Sequence, residues 1–231
     1  MSKKHCIFIS FFTFFAVFSK TPAQLPTIYN TLFEDEFYAN TLHPNWQSKA
    51  ADYFSSFDLT TQNGYLYLFC NKNSIAKNKY FNLLTLKALN GYLVASTTIN
   101  FSPKINGEEA GLSLYIDNNN YVIFDLKKED NQNVIQIQIK NSNKEAFILK
   151  DLVLSDYNEH LELQIKSFEN NYYFSYRLKS NDLWTIIDKY PLDKILIPLK
   201  QLYIGMYASS NGQKSKNHAA FDLFRYYDLK N

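Results

Sequence analysis

The sequence predicts an all-β protein, a two-sheet antiparallel sandwich of the jelly-roll kind, and three observations carry that prediction. Apolar and polar residues alternate with period two along most of the chain: Ile135, Ile137 and Ile139 interleave with Gln136, Gln138 and Lys140, and Leu161, Leu163 and Ile165 with Glu162, Gln164 and Lys166. Turn-forming pairs punctuate these runs at short intervals, as at Asn63-Gly64, Asn90-Gly91, Asn106-Gly107 and Asn211-Gly212. No amphipathic segment at helical spacing extends beyond about two turns.

From the N-terminus, Lys3 and Lys4 precede an apolar run from Ile7 to Phe18 and then Thr21-Pro22-Ala23. This is the three-part pattern of a secretory signal peptide. Residues 1–23 are therefore expected to be cleaved near Ala23, leaving residues 24–231 as one domain of a secreted or periplasmic protein. The apolar run is shorter than the ~20 residues of a membrane span, and nothing later approaches that length. Phe33-Glu34-Asp35-Glu36-Phe37 reads as an aromatic-acidic strand, matched at the far end by Ala219 to Asp228; a fold with its termini side by side in one sheet would pair them. Tyr65 to Cys70 is a strand in which Cys70 serves as a small buried hydrophobe. Asn73 to Lys79 is polar enough for a long loop. In the strand from Ala110 to Asp117, Tyr115 and Asp117 face away from Ala110, Leu112, Leu114 and Ile116. The Ile135 and Leu161 runs are one-sided antiparallel strands. Tyr172 to Tyr176 and Leu202 to Tyr207 are apolar or aromatic on both faces, which places them between two sheets or along a ring-lined groove.

Composition excludes several function classes. Residues 1–23 hold three of the 24 basic residues and none of the 22 acids, so without them acids outnumber bases by one. No basic block survives to attract a phosphate backbone, so nucleic acid is not an expected partner. Cys70 is the one cysteine left, which rules out an intramolecular disulfide and leaves stability to core burial. Eighteen tyrosines and nineteen phenylalanines fit a β-rich core with cross-strand aromatic pairs.

Motif order extends the reading. Phe33 to Phe37 followed by Leu42-His43-Pro44-Asn45-Trp46, then Gly64-Tyr65-Leu66-Tyr67-Leu68, then Phe101-Ser102-Pro103 and Gly107-Glu108-Glu109-Ala110-Gly111-Leu112, resembles the concanavalin A-like domain at the C-terminus of family 43 β-xylosidases. Tyr173 to Tyr176 with Trp184, Ile204-Gly205-Met206-Tyr207, and Ala220 to Tyr226 resemble its closing strands. The resemblance implies a concanavalin A-like lectin/glucanase type of sandwich. Those β-xylosidases carry a five-bladed catalytic propeller ahead of the domain, whereas here a signal peptide is expected in that place, so no hydrolase activity is carried over. Concanavalin-like sandwiches often bind a structural calcium near their joined termini, and the resemblance would place it at Glu34 or Glu36 with Asp222, hard oxygen ligands suited to that ion.

The residues themselves show no catalytic signature. No Glu-x-Asp-x-x-Glu string supplies paired carboxylates on one strand face, and Glu108 and Glu109 sit in a turn where a solvated edge or a metal loop is expected before catalysis. Histidines are scattered without a nucleophile elbow, and zinc-type Cys/His spacing is absent. Carbohydrate binding needs a groove, aromatic faces and a few polar groups; on the face opposite the core Tyr115, Asp117, Tyr207, Lys87 and Arg177 could meet. Trp46 and Trp184, from their places in the resembled turn and hairpin, are expected to be packing anchors. The leading expectation is thus a secreted, non-catalytic carbohydrate-binding protein for a plant-type or other polysaccharide. The rivals are a glycoside hydrolase with a noncanonical acid pair and a module docking on another exported protein.

Overall fold

In the computed structural model, residues 29–229 are described, except 53–54, 78, 90, 143 and 196–201; the expected signal peptide lies outside the described residues. The chain opens with β1 (Tyr29–Asp35), β2 (Gln47–Ser48), β3 (Phe57–Asp58), β4 (Leu66–Phe69), β5 (Asn82–Lys87) and β6 (Leu93–Asn100). It continues with β7 (Glu109–Asp117), β8 (Asn120–Glu129), β9 (Gln132–Lys140), β10 (Phe147–Val153), β11 (His160–Phe168) and β12 (Asn171–Arg177). After β13 (Thr185–Pro191) and a single helical turn, α1 (Leu192–Ile195), the sandwich closes with β14 (Tyr203–Ser209) and β15 (His218–Leu229). An eight-stranded sheet runs β13-β12-β11-β6-β15-β4-β3 with β1 on β15, and a seven-stranded sheet runs β10-β9-β8-β7-β14-β5-β2. The strand pairs are antiparallel throughout.

Alternation places one set of side chains from each sheet into a shared interior. Ile135, Ile137 and Ile139 from β9 meet Leu161, Leu163 and Ile165 from β11 in one cluster with Phe124, Phe174 and Met206. The terminal strands pair as their patterns require, with Glu34 opposite Arg225. Turns follow the sequence signals: Gly107 holds φ +93°, and a Cβ there would lie 3.2 Å from the Ser210 carbonyl oxygen, so glycine is needed for both conformation and space. Asn211 and Gly212 both take positive φ in the β14–β15 turn.

One irregularity sets the face that matters. Between Phe221 and Leu223 the register of β15 against β6 shifts, leaving Asp222 as the extra residue of a bulge. Phe221 before the bulge and Phe224 and Tyr226 after it all point into the core, so Leu223, Arg225 and Tyr227 emerge on the outer face of the eight-stranded sheet.

Candidate functional site

The outer face of the eight-stranded sheet carries a groove of about 670 Å³. Register arranges its floor in three cross-strand rows. Arg177, Glu162, Thr98 and Leu223 form the first, and Ser175, Gln164, Ser96 and Arg225 the second. Tyr173, Lys166, Val94 and Tyr227 form the third. The middle row therefore offers hydroxyl and amide groups, and rings flank it on either side.

Glu162 organises the first row. Its Oε2 accepts from Arg177 Nε at 2.8 Å and from Arg177 Nη2 at 2.5 Å. The pinned guanidinium lies under Trp184, with its carbon 4.6 Å from the ring centroid, a cation–π stack that fixes the indole at the groove edge. At the opposite end Tyr173 packs against Phe168 at 6.4 Å, with Lys189 Nζ 5.9 Å from the tyrosine ring. Arg225 is held by Glu34 at 2.7 Å, which keeps its side chain along the groove wall. The whole is a trough with aromatic ends and a hydrogen-bonding floor, complementary to a ligand that shows apolar faces and hydroxyl edges.

The structure divides the residues expected to bind sugar. Arg177 lies in this groove, whereas Tyr115, Asp117, Tyr207 and Lys87 belong to the seven-stranded sheet and do not meet it. Tyr207 is 0% exposed and Tyr115 8%, because the outer face of their sheet is itself covered. Ile75 and Phe81 pack there with Tyr121 and Ile123, and Lys49 lies over the rings of Tyr115 and Tyr203. Tyr115 donates to Asn118 Oδ1 at 2.9 Å. Asp117 caps the β7–β8 turn by accepting from Asn119 N and Asn120 Nδ2. Lys87 is exposed at the end of β5 beside Tyr203.

The tryptophans also part company. Trp46 is a packing anchor as expected, edge-on to Phe224 at 5.0 Å and donating its Nε1–H to Asp35 at 2.9 Å. Trp184 is not: it stands outside the core cluster and lines the groove, half-buried, just before the edge strand β13. Glu162, Gln164 and Tyr173 were not singled out from sequence. The polar side of the Leu161 strand reads as a solvated face, and the one clue against that is the aromatic on both faces of the neighbouring Tyr172 strand.

The acids expected to share a calcium, Glu34 or Glu36 with Asp222, have separate surroundings. Glu34 is committed to Arg225, Glu36 is exposed, and Asp222 sits at the bulge near His160 and Glu162, burial pushing its carboxyl upward. Among the described residues no three His, Cys, Asp or Glu side chains converge to hold a metal ion. Glu108 and Glu109, expected on a solvated edge or metal loop, are both buried. Glu108 accepts from the Lys104 amide, Ser215 Oγ and Asn217 Nδ2 at 2.6–2.8 Å, tying the β6–β7 loop to the β14–β15 loop.

The chain matches the family model of the β-xylosidase C-terminal concanavalin A-like domain over residues 34–227. It is 28% identical over 198 residues to a non-reducing end α-L-arabinofuranosidase of Bacteroides ovatus, covering 82% of this chain and 36% of that protein. Among solved structures, a Bacteroides ovatus GH43B protein of a xyloglucan locus superposes with TM-score 0.74 at 25% identity, over 91% of this chain and 42% of the other. A GH43 protein of Bacillus licheniformis gives 0.76 at 22% identity, over 85% and 39%, a likeness of fold. The chain thus spans well under half the length of these relatives.

Proposed function

The chain belongs to the β-xylosidase C-terminal concanavalin A-like domain family, and from that premise we propose that it is an exported, non-catalytic carbohydrate-binding protein whose ligand lies in the groove of the eight-stranded sheet. The observation that carries the reading is the Trp184 indole, held at the groove edge by Arg177 and Glu162 above a floor of Ser96, Gln164 and Ser175. A half-buried indole lining a groove keeps apolar surface there that a purely structural hairpin has no reason to retain, and such a ring stacks on the C–H face of a pyranose or furanose ring. Serine hydroxyls and a carboxamide on the floor both donate and accept, as sugar hydroxyls require. Relatives named for α-L-arabinofuranosidase and xyloglucan functions support a pentose-bearing plant polysaccharide as the ligand class. Export through residues 1–23 belongs to the same proposal.

A glycan array on purified protein tests it, with arabinoxylan, xyloglucan and arabinan fragments beside unrelated glycans. Binding to pentose-bearing glycans that is lost in Trp184→Ala supports the assignment. Silence across the array, with the protein shown to be folded, overturns it.

A further inference from the structure

The covered face of the seven-stranded sheet contains a feature that the groove does not use. Glu109 on β7 and Asp125 on β8 lie on adjacent strands, 6% and 1% exposed, each raising the cost of charge on the other. Among the described residues neither Asp125 oxygen has a hydrogen-bond donor, and the Tyr121 hydroxyl on the same face is also unpartnered. The donors nearby are spent elsewhere. Lys127 Nζ turns to Glu129 at 3.5 Å, and Gln136 Nε2 serves Asp151 at 3.0 Å and Glu129 at 3.4 Å. A buried carboxylate with no donor on either oxygen is not stable as an anion; a proton or a cation must neutralise it. With no third acid, His or Cys converging among the described residues, the proton is the neutraliser the geometry favours.

Tyr207 joins the surroundings of this pair to the covering segment. Tyr207, opposite Gly111 and so beside both Glu109 and Asp125 on the same face, accepts from the Ile75 amide of the covering segment at 3.3 Å. Segment 71–77 is also bound to β5, β14 and the turn after β14 by Asn71 Nδ2 to Asn82 Oδ1, Ser209 Oγ to the Asn73 carbonyl, Ser210 N to the Asn71 carbonyl and Gly212 N to the Lys72 carbonyl. Ile75 is its apolar plug against Tyr121 and Tyr207.

We infer that Glu109 and Asp125 hold a proton between them, and that this proton is the catch keeping segment 71–77 closed over the tyrosine-bearing face. When it leaves, two like charges remain in an interior that offers Lys127 as the nearby cation, against Glu129 and Asp151 of the same sign as the pair. Water must then enter, and segment 71–77, whose Ile75 packs over this face, is the cover it must displace. Cys70, Tyr121 and Tyr207, which feel the Glu109 charge, gain no compensation from ionising. Burial raises the Glu109 carboxyl from 4.5 to about 7. A raised acid keeps its proton in the folded state where the unfolded chain has lost it, so the stabilisation is complete below the unfolded value. It declines as pH climbs from about 4.5 through about 7.

Limited trypsin digestion of the full protein tests the catch, because Lys72 and Lys77 are exposed on the segment. Cleavage there, normalised to a reference peptide, is compared at about pH 6 and about pH 8.5, on either side of the titration. Cleavage of the wild type should rise at least about tenfold, and Asp125→Asn or Glu109→Gln, which keep shape without the charge, should flatten the rise. A wild type without the rise, or variants that keep it, would overturn the inference. Independently of any variant, the infrared carbonyl band of a protonated carboxyl should persist in the wild type at neutral pH, and its absence would also overturn it.

Discussion

Trp184 and Trp46 show how one residue type takes opposite roles from its surroundings. Trp46 is enclosed by Phe33, Phe37 and Phe224 with its indole N–H on Asp35, so Trp46→Ala should cost roughly 3–5 kcal/mol in chemical denaturation. Trp184 rests on Arg177 at the surface, and its loss should change stability by about 1 kcal/mol or less. Both stood out in the sequence, but a resembled turn or hairpin fixes only where a tryptophan lies along the chain. Which face of which strand covers it is a tertiary matter. The buried acids contrast in the same way. Burial works against ionised Glu108, yet hydrogen bonds from Ser215, Lys104, Asn217 and Ile105 outweigh it and hold its carboxyl below 4.5. Its stabilisation is present above that unfolded value and is lost as pH falls through the lower folded one, opposite in sign to Glu109. Thermal melts across pH should therefore show Glu108→Gln removing the acid limb of the stability profile, while Glu109→Gln removes the decline toward neutral pH.

At the scale of elements, the bulge at Asp222 decides which residues of β15 reach the groove. Deleting Asp222 removes the extra residue and leaves a strict period of two, with Phe221, Phe224 and Tyr226 still facing the core and Leu223 and Arg225 still on the outer face. A cooperative thermal transition should therefore remain in the deletion variant, as in Asp222→Gly. Gly205 makes a second test of close strand approach: a Cβ there would stand 1.8 Å from the Leu84 carbonyl oxygen, so Gly205→Ala should destabilise by about 1–3 kcal/mol or more. Regular strands were legible in the sequence because alternation is local; Ile135 to Ile139 and Leu161 to Ile165 face the core as their pattern demands. The bulge was not, since Phe221-Asp222-Leu223-Phe224 fits either phase. The covering of Tyr115 and Tyr207 was equally hidden, because the loop over residues 73–79 was visible as a loop while its resting place depends on Ile75 finding Tyr121 and Tyr207 across the fold.

For the molecule as a whole, two apolar inner faces and paired terminal strands specify the sandwich, and its two outer faces have separate fates. The seven-stranded sheet is roofed by its own chain, with buried acids beneath the roof, while the eight-stranded sheet stays open as a groove. The groove on the eight-stranded sheet is the surface proposed to hold a polysaccharide. Isothermal titration of pentose-bearing oligosaccharides into the wild type and Trp184→Ala, with melting temperatures measured on the same samples, tests this assignment most directly. Binding should fall at least about tenfold in the variant while its melting temperature stays within about 4 °C of the wild type. Undiminished affinity in a folded Trp184→Ala protein would place the ligand elsewhere and contradict the groove as the binding site.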